Sequence, residues 1–514
     1  MGFLSEIIVS LFQIRIILIT VLLAFGLKYI FKILGRDSRL IQFSKKFNGP
    51  FALPVLGNSL NLMLGAKDGL FDEYNKKYGS RYRLWLGKHL FIVLTEVEDI
   101  EVVLSNSKTL GKPDAFMVFK DFFGDSLPFA SVPLWKTNRK SMQPFFGKNV
   151  LRSHITEMNR IIYQFIEDMK SKVNGGEFDL TDHMNFMSFD TISKTHFNFQ
   201  LNQQEKEEVK FHRIIETALE ISSIFMFFSW LHNKFIRDLM FKKKMNEIKK
   251  KTIIFMNKLM SQNLEEAEKN VDNLETAHNL TSEIASKSLL FLLRNLEDRT
   301  GTEKYMYHEM MNTLAAGTET TATAVASFLL AVAMYPEIQE KVYEEIYEVF
   351  GDDDRPADEG DLDKFPYMDQ VMKESLRIFT LVPHIFRKVD EDMKIGPYVY
   401  PAGTSVLVDI LNVHFDPKLY PNPKQFNPEN FSPEAISKRH KYSYLPFSAG
   451  ARNCIGKSFA ELGMKLRLIA LLRMFSFHTT MKMEDMKFAN GIVAHSVKGY
   501  PVSLKWRKKK PSTN

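Results

Sequence analysis

Cysteine occurs once in these 514 residues, at position 454. A sole thiol excludes any internal disulfide, and it excludes zinc or iron–sulfur sites assembled from several thiolates. No internal repeat organises the chain, and no Gly-x-Gly-x-x-Gly loop marks a nucleotide site of its own. Basic and aromatic residues are not interleaved as in a nucleic-acid binder, and the net charge of +7 is moderate with both signs dispersed, so nucleic acid is not an expected partner. Long uninterrupted apolar runs are scarce too. Residues 7–34 form the longest apolar stretch, but Arg15 and Lys28 interrupt it, and the clean run 16–27 is shorter than the ~20 residues that cross a bilayer. Snorkelling of Arg15 and Lys28 towards opposite interfaces extends it to a usable length. No small-residue cleavage site follows, which argues against a secretory signal. Arg36, Arg39, Lys45 and Lys46 come next and place the C-terminal side in the cytosol. Cysteine scarcity accords with that reducing compartment. The sequon Asn279-Leu280-Thr281 is then expected to stay unglycosylated.

Apolar residues make up 45% of the chain, ample for a large core. The single cysteine lies in Phe447-Ser448-Ala449-Gly450-Ala451-Arg452-Asn453-Cys454-Ile455-Gly456. A lone thiol is an inert buried group, a nucleophile or one axial metal ligand. Gly450 and Gly456 lack Cβ and let the backbone lie against a flat object. An amphipathic helical pattern starts at Lys457, so the sulfur is predicted at a helix N-terminus, where N–H groups and the macrodipole favour thiolate. Arg452 is placed to pair with a carboxylate of the same cofactor.

This loop resembles the heme-binding loop of the cytochrome P450 superfamily, Phe-x-x-Gly-x-Arg-x-Cys-x-Gly, with five defined positions at fixed spacing. The resemblance spans nearly the whole chain. It implies a mainly α protein with a small β portion, a triangular helix-rich heme domain with small sheets, preceded by an N-terminal transmembrane helix. The expected divisions are an anchor at 1–34, a basic linker and proline hinge at 35–58, a catalytic domain at 59–505 and a basic tail at 506–514. It also implies a microsomal protein in the endoplasmic-reticulum membrane with a cytosolic catalytic domain, heme b as cofactor, and Cys454 as thiolate ligand of the iron.

Residues 304–334 read as one long helix stopped by Pro336, roughly 45 Å at 1.5 Å per residue. Its centre, Ala315-Ala316-Gly317-Thr318-Glu319-Thr320-Thr321, is weak for helix stability. Small Ala316 and Gly317 make an oxygen groove, and Thr320 can bond back to the carbonyl of Ala316. By resemblance to the family's motif, Thr320 and Glu319 are the catalytic pair that delivers protons during oxygen activation. Ala316 stands where many relatives carry a glutamate that esterifies heme, which implies heme held non-covalently. Glu374 and Arg377 share a helix face at i, i+3 and resemble the family's buried structural pair, although Asn430 occupies the place of its usual third partner, an arginine. Trp135, Arg139, Arg387, His414 and Arg452 match cofactor-carboxylate positions. Phe447, Gly450 and Gly456 complete the heme cradle.

A small sheet is expected at 82–94, helices from about 150 to 350, an exposed turn at 352–356, and a loop or solvated helix at 262–282. Segments 116–129, 221–231 and 491–500 are the implied substrate walls, although aromatic stripes are more often core, and 224–228 reads alternatively as a segment dipping into the bilayer. The motifs resemble the animal clan of fatty-acid ω-hydroxylases and their insect relatives. The implied reaction inserts one atom of O2 into an apolar substrate such as a fatty acid, terpenoid or xenobiotic. Electrons come from NADPH through cytochrome P450 reductase, with cytochrome b5 as a further donor, and Lys136, Lys140 and Lys457 are candidate docking residues. The rival readings are a reductase-independent heme-thiolate isomerase or dehydratase, and a non-catalytic membrane protein carrying heme or lipid.

Overall fold

The computed structural model describes residues 20–21, 35–64, 69–200, 211–271, 289, 293, 302–489 and 492–507. Most of the expected anchor and the Asn279 sequon lie outside them. Residues 35–58, read as a linker, fold onto the catalytic domain. Asp37 caps the short helix Ser38–Ser44 by accepting from the Arg39 N–H. Phe43 and Phe47 are buried beside Tyr400. Arg36 stacks at 4.5 Å on the Trp85 ring and donates to Leu53 O at 2.9 Å, while Arg39 donates to Ala402 O at 2.7 Å. Two of the four cations expected merely to flank an anchor therefore also tie the linker to the domain.

Along the chain, α1 (Leu70–Tyr78) leads into β1 (Arg81–Leu86) and β2 (His89–Leu94). These strands pair antiparallel through Gly87-Lys88, with Gly87 left-handed at φ 57°, and they form the sheet expected at 82–94. Next come α2 (Val132–Met142), with Pro133 in its first turn where a missing N–H is harmless, and α3 (Ile155–Met169). The buried Ile155, Met158, Ile162, Phe165 and Met169 repeat every three or four residues along α3, so one stripe faces inward. The short strand β3 (Phe178–Asp179) precedes α4 (Thr181–Phe197), α5 (Phe211–Phe227) and α6 (Lys234–Val271). The part of 262–282 that is described is helical.

The helix α7 (Thr302–Met334) confirms the long element expected at 304–334. It ends one residue before α8 (Pro336–Phe350), which Gly351 terminates at φ 54°. The helix α9 (Pro366–Ile378) is capped by α8, because the Tyr367 and Met368 N–H groups donate to the Glu345 carboxylate at 2.8 and 2.9 Å. Strands β4 (His384–Lys388) and β5 (Ser405–Asp409) follow, then α10 (Lys457–Met474), β6 (Phe475–His478) and β7 (Pro501–Trp506). One sheet runs β1-β2-β5-β4, with β2 and β5 parallel, and another runs β3-β7-β6. The architecture is mainly helical with small sheets. Helix α7 threads its centre, packed against α4, α5, α9 and α10. Among the described residues, Lys304–Met334 is the one stretch long and apolar enough to cross a membrane, and it is mostly buried in the core.

Segment 224–228 is divided: Phe225 and Met226 are buried, with Phe225 edge-on to Phe241 at 5.1 Å, while Ile224, Phe227 and Phe228 are half-buried. The exposed apolar side chains nearby include Phe235 at 77% and Leu239 at 78% exposure. Arg507 donates to Glu340 at 2.7 Å and lies 4.0 Å over the Tyr343 ring, fixing the end of β7 to α8.

Candidate functional site

The Cys454 loop joins the end of a long irregular stretch to the N-terminus of α10. Its turns close through Ser448 N–H to Leu445 O (3.0 Å), Asn453 N–H to Gly450 O (3.1 Å) and Cys454 N–H to Phe447 O (3.0 Å). Gly450 sits at φ 74°, and a Cβ there would collide with the carbonyl of Leu104. Glycine is needed for both reasons. Gly456 has an ordinary φ of −84°, and the left-handed residues of this loop are Ser448 at φ 59° and Gly450. Gly456 contributes an N–H directed at the sulfur.

The Cys454 side chain keeps an exposed face although protein crowds it on most sides. Burial pushes its pKa up, against the opposing effects of the Gly456 N–H and Arg139. The helix N-terminus therefore does not by itself make the thiolate expected from the sequence. A bound metal ion would, because coordination deprotonates a thiol outright.

The second group of expected site residues lies at the centre of α7. Thr320 Oγ1 donates to Ala316 O at 2.6 Å, the back-bond expected from its position. Ala316 is exposed and Thr320 half-buried, although most of α7 is deep in the core. Burial pushes Glu319 up to about 7, with repulsion from Glu216 and Glu220 on α5 adding to the effect. Gly317 does something the groove reading did not foresee. A Cβ there would stand 2.7 Å from Ile192 Cδ1, so glycine permits the close crossing of α4 and α7. Gly317→Ala is expected to lower stability by about 1–3 kcal/mol through overpacking. Adding Ile192→Val, which removes the obstructing methyl, is expected to return most of it in a thermal melt.

Three cations converge beside the loop. Arg387 on β4 is buried, and its Nη1 and Nη2 reach only Phe386 O (3.0 Å) and Ser448 Oγ (3.4 Å). Arg452 lies 4.6 Å over the buried Trp135 ring and donates to Ala130 O at 3.1 Å, leaving its Nε without a partner. Lys112 Nζ meets Phe386 O at 3.5 Å. Burial lowers all three pKa values, Arg387 to about 10 and Arg452 to about 9, and Arg387 and Arg452 depress Lys112 further. Asp390, which acts on Arg452 from a distance, is engaged by the Gly111 N–H at 2.9 Å. A cluster of like charges this enclosed is unfavourable unless anions join it. Two carboxylates on one flat group lying against the Cys454 loop would satisfy it, and heme carries two such propionates. Lys112 went unnoticed in the sequence, where a lysine between Gly111 and Pro113 carries no motif.

Two predicted carboxylate ligands have other posts. Arg139 donates through Nη1 and Nη2 to Asn453 O and Oδ1, both at 2.8 Å, and through Nε to Gln143 Oε1 at 3.0 Å, so it clamps the Cys454 loop. His414 is fully buried; its Nε2 accepts from Leu445 N–H at 3.0 Å and its Nδ1 pairs with Thr380 Oγ1 at 2.9 Å. Both ring nitrogens have partners inside the protein.

Glu374 and Arg377 form a bidentate pair at 2.7 Å with both side chains 0% exposed. Arg377 Nη1 also donates to His414 O and Pro423 O at 2.7 and 2.8 Å. Asn430 Nδ2 and Asn427 N–H donate to Glu374 Oε1 at 3.1 and 2.8 Å, so the family's third arginine is replaced by neutral donors.

Residues 48–502 match the family described as "Cytochrome P450". The chain belongs to the cytochrome P450 family. Its relatives include cytochrome P450 4c21 of Blattella germanica, 29% identical over 91% of this chain and 95% of that one. Cytochrome P450 4V2 of Homo sapiens is also 29% identical, over 89% of each chain, and cytochrome P450 4c3 of Drosophila melanogaster is 28% identical over 91% of each. As a P450, the protein is a heme-thiolate monooxygenase, and the cation cluster and enclosed thiol fit that cofactor.

Proposed function

We propose that this P450 oxidises an apolar lipid or xenobiotic at the space between the Cys454 loop and the centre of α7. The convergence of Lys112, Arg387 and Arg452 without a paired carboxylate beside Cys454 carries the reading. Cys454 would hold heme iron, the three cations and Trp135 would hold the propionates, and Ala316, lacking a carboxylate, would leave the heme otherwise non-covalent. When bound, the heme supplies the oxygen-activating redox chemistry that no side chain here provides. The protein's part is to hold protons and exclude water. Glu319, with a pKa about 7, is half protonated near neutrality and so both gives and regains a proton. Thr320, whose hydroxyl leans on Ala316 O, would pass that proton across the groove.

Phe116, Phe119 and Phe129 support an apolar substrate. Their rings stack at 5.6 and 5.2 Å, and Phe116 leans on Phe386 at 4.6 Å, so 116–129 is at least partly core. Electrons would come from NADPH through cytochrome P450 reductase, with cytochrome b5 as an additional donor. The face behind Cys454 carries a recess of about 570 Å³ lined by Trp135, Lys136, Arg139, Lys140 and Gln143. Lys136, Lys140 and Lys457 are exposed around it, a basic surface suited to an acidic flavoprotein. An endoplasmic-reticulum anchor at 1–34 would tether the domain at 59–505, with its cytosolic face towards that reductase. Product mass spectrometry in a reductase-reconstituted system, against fatty acids, terpenoids, steroids and xenobiotics, tests this reading. Turnover without NADPH consumption would favour the isomerase alternative.

Glu319→Gln is expected to lower product per NADPH by roughly a hundredfold, the lower end of the range of a positioned acid–base group. The bend near pH 7 in the coupling profile is expected to vanish with it. The same group has a stability signature. Its folded pKa lies above the ordinary 4.5, so the native state binds the extra proton and stability falls as pH rises from about 4.5 to about 7. Glu319→Gln is expected to flatten that part of the melting-temperature profile. Expression in a eukaryotic host followed by glycosidase digestion checks topology, because a cytosolic Asn279 leaves the mobility unchanged.

A further inference from the structure

Asn430 donates to Glu374 without bringing charge, yet a guanidinium reaches the same spot from further along the chain. Arg439 Nη2 donates to the Asn430 carbonyl, and the Arg439 Cζ lies 4.3 Å from the Tyr420 ring centre and 5.0 Å from that of Phe431. Tyr420 also meets Arg377 at 4.7 Å and donates to Ser443 O at 3.1 Å, and Phe431 packs on Tyr444 at 4.6 Å. Arg439 therefore closes a ring of contacts that starts at the Glu374–Arg377 pair. It also opens the stretch that ends at Cys454, fifteen residues on (454 − 439). Beyond it, the Tyr444 hydroxyl donates to Lys373 O on α9 at 3.1 Å and the Leu445 N–H to His414 at 3.0 Å.

We propose that Arg439 is a positioning residue for Cys454, doing from position 439 what an arginine at 430 does in related chains. It holds the Tyr420 and Phe431 rings and the Asn430 backbone together, and so fixes the segment that presents the sulfur. The contact is aromatic and to a backbone carbonyl, not to Glu374, whose charge Arg377 already neutralises. Charge, planarity and reach all matter, and arginine supplies them together.

The proposal rests on Cys454 as the axial ligand, and its test separates the two. Full-length, heme-loaded protein is assayed for heme transfer to excess apomyoglobin and for the fraction of ferrous carbonyl complex that loses the thiolate-specific red-shifted Soret band. Arg439→Ala is expected to release heme about tenfold faster and to raise that fraction, on the scale of a lost cation–π contact and charged hydrogen bond. Arg439→Lys is expected to fall between the parent and Arg439→Ala, since it keeps the charge but not the planar fork. Asn430→Arg in the Arg439→Ala background is expected to restore most of the difference. Parent-like heme loss in Arg439→Ala, or a double variant no slower than Arg439→Ala, overturns the proposal. Should Arg439→Ala not accumulate as folded protein, Arg439→Gln and Arg439→Lys are compared, and equal rates overturn it. A missing red-shifted band in the parent protein would instead indict Cys454.

Discussion

Cys454→Ser is expected to reduce product formation by roughly a thousandfold or more, about 4 kcal/mol in the barrier. Serine keeps the size and the N–H contacts of the loop, but its hydroxyl neither deprotonates readily nor donates electron density to iron as sulfur does. The enclosure that raises the cysteine pKa would hold a serine neutral more firmly still. The fold is expected to survive, with the melting temperature of the heme-free form within a few degrees of the parent, because Cys454 makes no disulfide and keeps an exposed face. Two measurements decide it: product by mass spectrometry under reconstituted turnover, and the Soret position of the ferrous carbonyl complex. Undiminished turnover in the serine variant would remove the thiolate from the mechanism.

Glu374→Ala is expected to destabilise the folded protein by about 3–5 kcal/mol, the range for orphaning one partner of a buried ion pair. The pair is fully buried in the core, so this is a loss of fold and of heme retention before it is a loss of chemistry. Arg377 would keep its carbonyl acceptors at His414, Pro423 and Gln425, but no anion would remain beside it. The Asn427 and Asn430 donors would lose their acceptor as well. A double variant, Glu374→Gln with Arg377→Met, separates charge from packing. If desolvated charge dominates, the double variant melts higher than Glu374→Ala; if lost packing dominates, it melts lower. Chemical unfolding followed by far-ultraviolet circular dichroism reads both.

Much of this protein is local and therefore legible. The helix at 304–334 follows from its apolar density and the proline after it, and the hairpin at 82–94 from alternation around Gly87. The Thr320 back-bond is a matter of four residues in one helix. The Cys454 loop is likewise a contiguous string, since a turn that must close over ten residues writes its glycines in order.

Errors arose where one residue serves a neighbour far away in sequence. Arg139 and Asn453 are 314 positions apart, and nothing near Arg139 says that its donors go to that loop and not to a cofactor. His414 looked free to bind a carboxylate until Leu445 and Thr380 closed on its two nitrogens. Lys112 was invisible because a lone lysine gains meaning only from the two arginines it meets. The run 224–228 has the composition of a membrane contact, and only the packing of Phe225 on Phe241 shows that two of its residues face the core.

By itself the sequence determined the family, the thiol and the long helix, because each depends on residues close enough along the backbone to form a turn or share a helical face. Only the tertiary structure decided which charges lie together without counter-ions, which glycine yields to a crossing helix, and where a missing arginine is made good. Burial and charge pairing depend on what arrives from elsewhere in the chain, and those arrivals leave no local pattern to read.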